Sequence, residues 1–168
     1  MNNQAKKVVL NGLMIALVCI ATIAIQIPIP GTNGYVNIGD SVIFISSILF
    51  GPISGMLAGG IGSALADLLS VYSHWALFTL IIKGCEGYIV GLILRKGNTL
   101  FKNLSATLIG MVVMVLGYFI AGSILEGSFI VAARSIPSNI IQGTISIILA
   151  IPLSHSLSNI KYVKSLKI

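Results

Sequence analysis

The chain has 168 residues, of which 56% are apolar and only 8% charged, with ten Lys and Arg against four Asp and Glu and a formal net charge of +6. Its apolar residues recur in separate helix-length blocks, which marks an integral membrane protein; at ~20 residues per crossing the chain holds about six spans and leaves no room for a soluble domain of useful size. The basic residues are scattered near the span ends, a pattern that suits topology and anionic headgroups and argues against nucleic-acid binding.

The expected spans are 8–27, 38–50, 52–71, 75–95, 104–125 and 136–157, forming one all-α domain over residues 1–168. Helices are required because backbone polar groups in lipid must be satisfied within each segment, and no barrel-like alternation is present. The first span follows Lys6 and Lys7. It is longer than a signal-peptide apolar region and no A-x-A pattern closes it, so it is expected to be retained. Gly12 and Ala16 give it a small-xxx-small pair, suited to packing within the bundle or against a partner membrane subunit. Cys19 here and Cys85 in the fourth span form no C-x-x-C and read as small buried hydrophobes rather than a disulfide or zinc site.

Residues 28–34 (PIPGTNG) are turn formers without charge. The second span that follows has about fourteen residues, which rise ~21 Å against a ~30 Å hydrocarbon core. It is therefore expected to start below the outer surface, with the preceding stretch folded inward as a polar lid; the alternative is an ordinary loop beside a tilted or thinned helix. The third span carries Gly55, Gly59, Gly60, Gly62, Ser63, Ala64 and Ala66, with a GxxxG at Gly55 and Gly59, and should pack closely inside the bundle.

Charged residues within spans are functional candidates because a bilayer makes them costly. Asp40, Asp67 and Lys83 fall in the outer half of their spans, and Trp75, Thr79 and Lys83 share a helix face with Glu86 one turn beyond. Tyr35 and Asn37 precede Asp40. Ser138, Asn139 and Gln142 put amides in the outer turns of the last span, with Arg134 just outside, and Tyr118 is a further aromatic candidate. Together they suit a small, flat, polar ligand in an apolar bundle. The structural alternative pairs Lys83 with Glu86, or with Asp67 across helices, solely to neutralise buried charge, and makes Trp75 an interfacial anchor. His74 reads as a rim residue and His155 as structural; their spacing is not that of a metal pair.

Lys6, Lys7, Arg95, Lys96, Lys102, Lys161, Lys164 and Lys167 fall on one side of six spans, with only Arg134 opposite, so both termini should be cytoplasmic. Phosphate-loop, zinc-protease and serine-hydrolase motifs are absent. Ser63 follows Gly62 as in intramembrane serine proteases, but without a convincing histidine partner. Lacking a nucleotide site, the chain must bind only, run on an ion gradient, or borrow ATPases.

Asn37-Ile38-Gly39-Asp40, Phe50-Gly51-Pro52-Ile53-Ser54-Gly55 and Gly62-Ser63-Ala64-Leu65-Ala66-Asp67-Leu68-Leu69 form a run that resembles the substrate-binding S components of energy-coupling factor (ECF) vitamin transporters of bacteria and archaea. The stretch from His74 through Lys83-Gly84-Cys85-Glu86-Gly87 is similar to the branch that includes riboflavin, pyridoxine and hydroxymethylpyrimidine carriers. The resemblance covers almost the whole chain. It implies a six-helix subunit of a bacterial cell membrane that is not an enzyme and needs no cofactor. Such a subunit captures a vitamin from outside under loops after the first, third and fifth helices, then topples onto a coupling subunit that carries two ATPases. Gly12 and Ala16 match the family's docking site on the first helix, with glycine replacing the usual alanine. The family's cobalt and nickel carriers use a histidine near the N-terminus, where this chain has Asn2 and Asn3.

The expected substrate-binding residues are Tyr35, Asn37, Asp40, Asp67, Trp75, Thr79, Lys83, Glu86, Asn139 and Gln142. Pyridoxine or hydroxymethylpyrimidine suits them best, with Trp75 stacking on the ring and Asn139, Gln142, Asp40 and Lys83 reading its nitrogen and hydroxyls. Riboflavin or another vitamin precursor is the nearest alternative. A stand-alone gradient-driven carrier, with Asp67, Lys83 or Glu86 as a proton-coupling group, is the competing class.

Overall fold

A computed structural model describes residues 2–30, 34–161 and 163. Thr32 and its two neighbours in the expected lid, and Lys164 and Lys167 of the basic C-terminus, lie outside the described residues. Helix α1 (Asn3–Ala24) starts where the Asn2 side chain accepts a hydrogen bond from the Gln4 amide. It ends ahead of Pro28 and Pro30, which have no N–H to give a helical ladder, and Ile25 is already extended. The chain then forms a small antiparallel hairpin, β1 (Ile27–Pro28) against β2 (Tyr35–Val36), in register Ile27 with Val36. This hairpin is the one departure from a purely helical chain among the described residues.

Helix α2 (Gly39–Phe50) is twelve residues long, about 18 Å. The Asn37 side chain accepts the Gly39 amide at 2.8 Å and Asp40 occupies the first turn, both favourable at a helix N-terminus. Its end is set by Gly51 at φ +89°, a conformation costly for any residue with a Cβ, and Pro52 opens the next helix at the position where its missing N–H costs nothing. That third crossing is α3 (Pro52–Leu57), a π-helical turn over Ala58–Gly62, and α4 (Ser63–Leu68) in one continuous rod. It stops three residues short of the expected 71, in the loop that leads to the 3₁₀ turn Ser73–Trp75. Helix α5 (Ala76–Leu94) follows, then α6 (Leu100–Leu125), capped by the Thr99 hydroxyl. A short helix α7 (Phe129–Ala133), capped by Ser128, interrupts the connection to α8 (Ser135–Ser158).

The result is a six-crossing membrane bundle. Four helical segments are long and apolar enough to span a membrane, and α2 is a shorter apolar helix. Large apolar side chains point outward all round, including Leu13, Leu17 and Ile20 on α1, Val112 and Leu116 on α6, and Ile141, Ile145 and Ile148 on α8. Such a surface suits lipid and would aggregate in water. Cys85 belongs to this outward set and Cys19 is half-buried, so Cys85 is not the buried hydrophobe expected. It sits on α5 off the face that carries Lys83 and Glu86. His155 is likewise exposed rather than built into the bundle.

Helix α5 is the central element, packed on α6, α3, the π turn and α2. Glycines make this possible. A Cβ on Gly55 would lie 2.6 Å from the Gly87 carbonyl oxygen, one on Gly87 would strike the Gly55 carbonyl, and one on Gly59 would strike that of Lys83. The two backbones are therefore in contact along Gly55, Gly59 and Gly60 on one side and Lys83, Gly84 and Gly87 on the other. The Ser47 hydroxyl on α2 donates 2.9 Å bonds to the Ile43 and Gly87 carbonyls and closes the same junction.

Gly87→Val forces a branched side chain into this junction and should cost about 1–3 kcal/mol or more, the usual range for overpacking. It should be read as a lower thermal unfolding midpoint of the detergent-purified chain. Gly12→Val, whose Cβ would meet nothing within 4 Å, should leave that midpoint unchanged.

Candidate functional site

The close approach of α5 to α3 and α2 buries the stripe Trp75, Thr79, Lys83 and Glu86 against its neighbours. Lys83 Nζ lies 2.5 Å from Asp40 Oδ1 and 3.1 Å from Glu86 Oε2. All three side chains are almost completely excluded from solvent. The other Asp40 oxygen accepts a 2.8 Å hydrogen bond from Gln142 Nε2 on α8, and Gln142 Oε1 accepts the Asn37 amide at 2.8 Å. Asn37 in turn caps Gly39. One chain of polar contacts thus runs from α5 through the start of α2 to α8 and back to the end of the hairpin loop.

The Lys83 partner across helices is therefore Asp40, not Asp67, because the N-terminus of α2 rather than the end of α4 faces the middle of α5. The i+3 contact to Glu86 is also present. Its geometry leaves both Glu86 oxygens without a hydrogen bond among the described residues, so the ion contact alone offsets that charge.

Above this cluster is a narrow cavity of about 40 Å³. Trp75 and Tyr118 form one wall with ring centroids 5.7 Å apart in an edge-on arrangement, and the Tyr118 hydroxyl is 3.2 Å from Thr79 Oγ1. The hairpin covers the cavity through Ile29, Gly34 and Tyr35, and α7 and α8 close the far side with Ala132, Ser135, Asn139 and Gln142. The Tyr35 hydroxyl donates to Asp67 Oδ1 at 2.6 Å, while its ring lies 4.4 Å from that of Tyr72. Burial, and then the neighbouring Asp67 charge, push the Tyr35 hydroxyl above the ordinary phenol range, so it remains a donor. Tyr35 to Asp67 and Asn37 to Gln142 are polar ties that hold the lid to the bundle. It lies over the start of α2, which at twelve residues leaves room for it.

Of the residues expected to bind substrate, Tyr35, Asn37, Asp67, Trp75, Thr79, Asn139 and Gln142 line the cavity. Asp40, Lys83 and Glu86 lie behind it and hold its walls. Ser138 is half-buried and off the lining, and His74 is exposed beside Trp75. Gly12 and Ala16 are exposed on the outer face of α1, which removes packing within the bundle as their role. Glu126, Gly122, Val131 and Ala132 also line the cavity and were not expected. Glu126 had a usable signal as one of only four acidic residues, next to the outer end of a span. Nothing in the sequence pattern marked Val131 and Ala132, which reach the cavity because α7 folds back over α6.

Lys83→Met would leave Asp40 and Glu86 buried without their cation and should cost about 3–5 kcal/mol, read as a large fall in unfolding midpoint. Pairing it with Asp40→Leu should recover much of that loss, the coupling expected of contacting charges.

Residues 2–159 match the family described as ECF-type riboflavin transporter, S component. A protein of Pyrococcus woesei described as an uncharacterized protein in gap 3'region is 50% identical over 111 residues, 66% of this chain and 74% of that protein. The thiamine precursor transporter HmpT of Lactococcus lactis subsp. cremoris is 34% identical over 154 residues, covering 91% and 88% of the two chains. The fold is similar to that of a solved bacterial protein described under "Structure and mechanism of the S component of a bacterial ECF transporter", with a TM-score of 0.73 at 21% identity over 93% of this chain and 97% of the other. A family match running over nearly the whole length, carried on a bundle of the same shape, shows that the chain belongs to the ECF-type S components, multi-pass membrane proteins that bind a transporter's substrate and are not enzymes.

Proposed function

We propose that this S component captures hydroxymethylpyrimidine, the pyrimidine alcohol used as a thiamine precursor, from outside the cell. The observation that carries this reading is a narrow cavity walled by the edge-on rings of Trp75 and Tyr118 and lined by the buried amides of Asn139 and Gln142. Aromatic rings beside buried amides suit a single ring bearing nitrogens and a hydroxyl. The 34% identity to a protein named as a thiamine precursor transporter supports the same choice. Pyridoxine shares this chemistry. Riboflavin is favoured by the description of the matching family.

Both termini are cytoplasmic in this reading, so the hairpin lid faces outward and the ligand enters from that side. Uptake is driven by ATPases acting through a membrane coupling subunit. The exposed Gly12 and Ala16 offer that subunit a flat strip on α1 where a helix can approach closely.

Trp75 is the only tryptophan and lines the cavity, so its fluorescence reports occupancy directly. Titration of the detergent-purified chain with hydroxymethylpyrimidine should give a saturable change, with pyridoxine and riboflavin binding more weakly. Asn139→Ala should weaken binding more than tenfold, about 1.4 kcal/mol for one lost buried polar contact. Saturation by riboflavin alone would transfer the assignment to that vitamin. In liposomes with an imposed pH gradient the chain alone should bind without accumulating ligand; sustained accumulation would establish the gradient-driven carrier instead. Gly12→Leu should retain ligand binding yet fail to co-purify with the coupling subunit.

A further inference from the structure

The cavity carries a charge pattern that the ring's shape does not explain. Among the described residues its lining holds two acidic side chains, Asp67 and Glu126, and no lysine, arginine or histidine. Lys83 is not among the lining residues; its ammonium is engaged by Asp40 and Glu86 and lies 5.4 Å from the centre of the Tyr118 ring. Asp40 is fully used as well, one oxygen by Lys83 and the other by Gln142.

Asp67 is different. It is 99% excluded from solvent, and its Oδ1 is held by the Tyr35 hydroxyl, but its Oδ2 has no hydrogen-bond partner among the described residues. A buried carboxylate oxygen without a partner is unusual enough in a folded protein to need a cause. A carboxylate can only accept, so the group that completes it must bring an N–H or O–H donor, and a positively charged donor completes it best. Asn139, across the cavity, can donate or accept and so does not impose a direction. The direction comes from Asp67.

We propose that Asp67 selects the ligand, and that it does so by taking hydrogen bonds from the amino group and adjacent protonated ring nitrogen of an aminopyrimidine. This rests on the hydroxymethylpyrimidine reading and sharpens it. The same carboxylate turns away a ring that offers only acceptors at that edge. With no lysine, arginine or histidine among the described lining residues to meet an anion, the cavity turns away the phosphate ester of the same alcohol too. The Tyr35 hydrogen bond to the other Asp67 oxygen ties this selection to the lid, because the residue that senses the amine also holds the hairpin down.

The test is Trp75 fluorescence of the full-length, detergent-purified chain titrated with three compounds. They are the aminopyrimidine alcohol, its oxo analogue with the amine replaced by oxygen, and its phosphate ester. The native chain should prefer the amine over each of the other two by about 100-fold or more, since a site built around a donor leaves a buried group unpaired when the donor is missing. Asp67→Asn, which keeps an acceptor for Tyr35 but removes the charge, should reduce that preference to about tenfold or less. Equal native binding of amine and oxo analogue overturns the assignment, and so does an Asp67→Asn chain that keeps the native preference. Should that variant fail to fold, the native comparison of the three compounds decides alone. A folded native chain that answers to none of the three, but to another vitamin, defeats the pyrimidine reading itself and this assignment with it.

Discussion

The Lys83 ammonium shared between Asp40 and Glu86 is the contact on which the upper half of the molecule depends. A lone charge at that depth would be very costly, so each of the three side chains is tolerable only because the other two are in place. Gln142 extends the cluster to α8 and Asn37 extends it to the lid. Three helices and a loop that are far apart in sequence are thereby set at fixed distances, and the cavity is the space left above them.

The glycine junction makes that contact reachable. Lysine has the length to bridge helices, but its ammonium meets the first turn of α2 only because α5 lies against α3 with backbone touching backbone at Gly55 and Gly87. The π turn over Ala58–Gly62 belongs to the same arrangement, since its wider coil carries Gly59 and Gly60 toward α5 while Gly62 meets Ile15 and Val18 of α1. Stability and binding geometry thus share one set of residues. The placement of the acids follows from it: Asp40 and Glu86 hold Lys83, and Asp67, one layer higher, lines the cavity with Glu126.

The lid is tied to the bundle by polar contacts beside the Tyr35–Tyr72 ring contact and the buried Ile29. Tyr35 and Asn37 each contribute one hydrogen bond to the bundle, and both partners, Asp67 and Gln142, line the cavity. Any group that competes for those partners therefore acts on the lid and on the site together.

Number and order of spans were legible in the sequence because bilayer insertion depends on local quantities, the length and apolarity of a segment and the basic residues at its ends. The shortness of α2, the turn formers before it and the glycines of the third span were legible for the same reason, as was the shared face of Trp75, Thr79, Lys83 and Glu86, since helical spacing alone fixes it. Which groups pair across helices was not. Asp67 was the partner expected for Lys83 across helices, and the rotation and offset of α2 and α4 against α5 gave it Asp40 instead. The fold-back of α7, which brings Val131 and Ala132 to the cavity, likewise has no local signature. The sequence by itself determined that this chain crosses a membrane six times and keeps charge inside it, because each segment meets the lipid on its own terms. Tertiary structure alone decided which charges are spent on one another and which acids line the cavity, because that depends on distances of a few ångströms between helices set by packing.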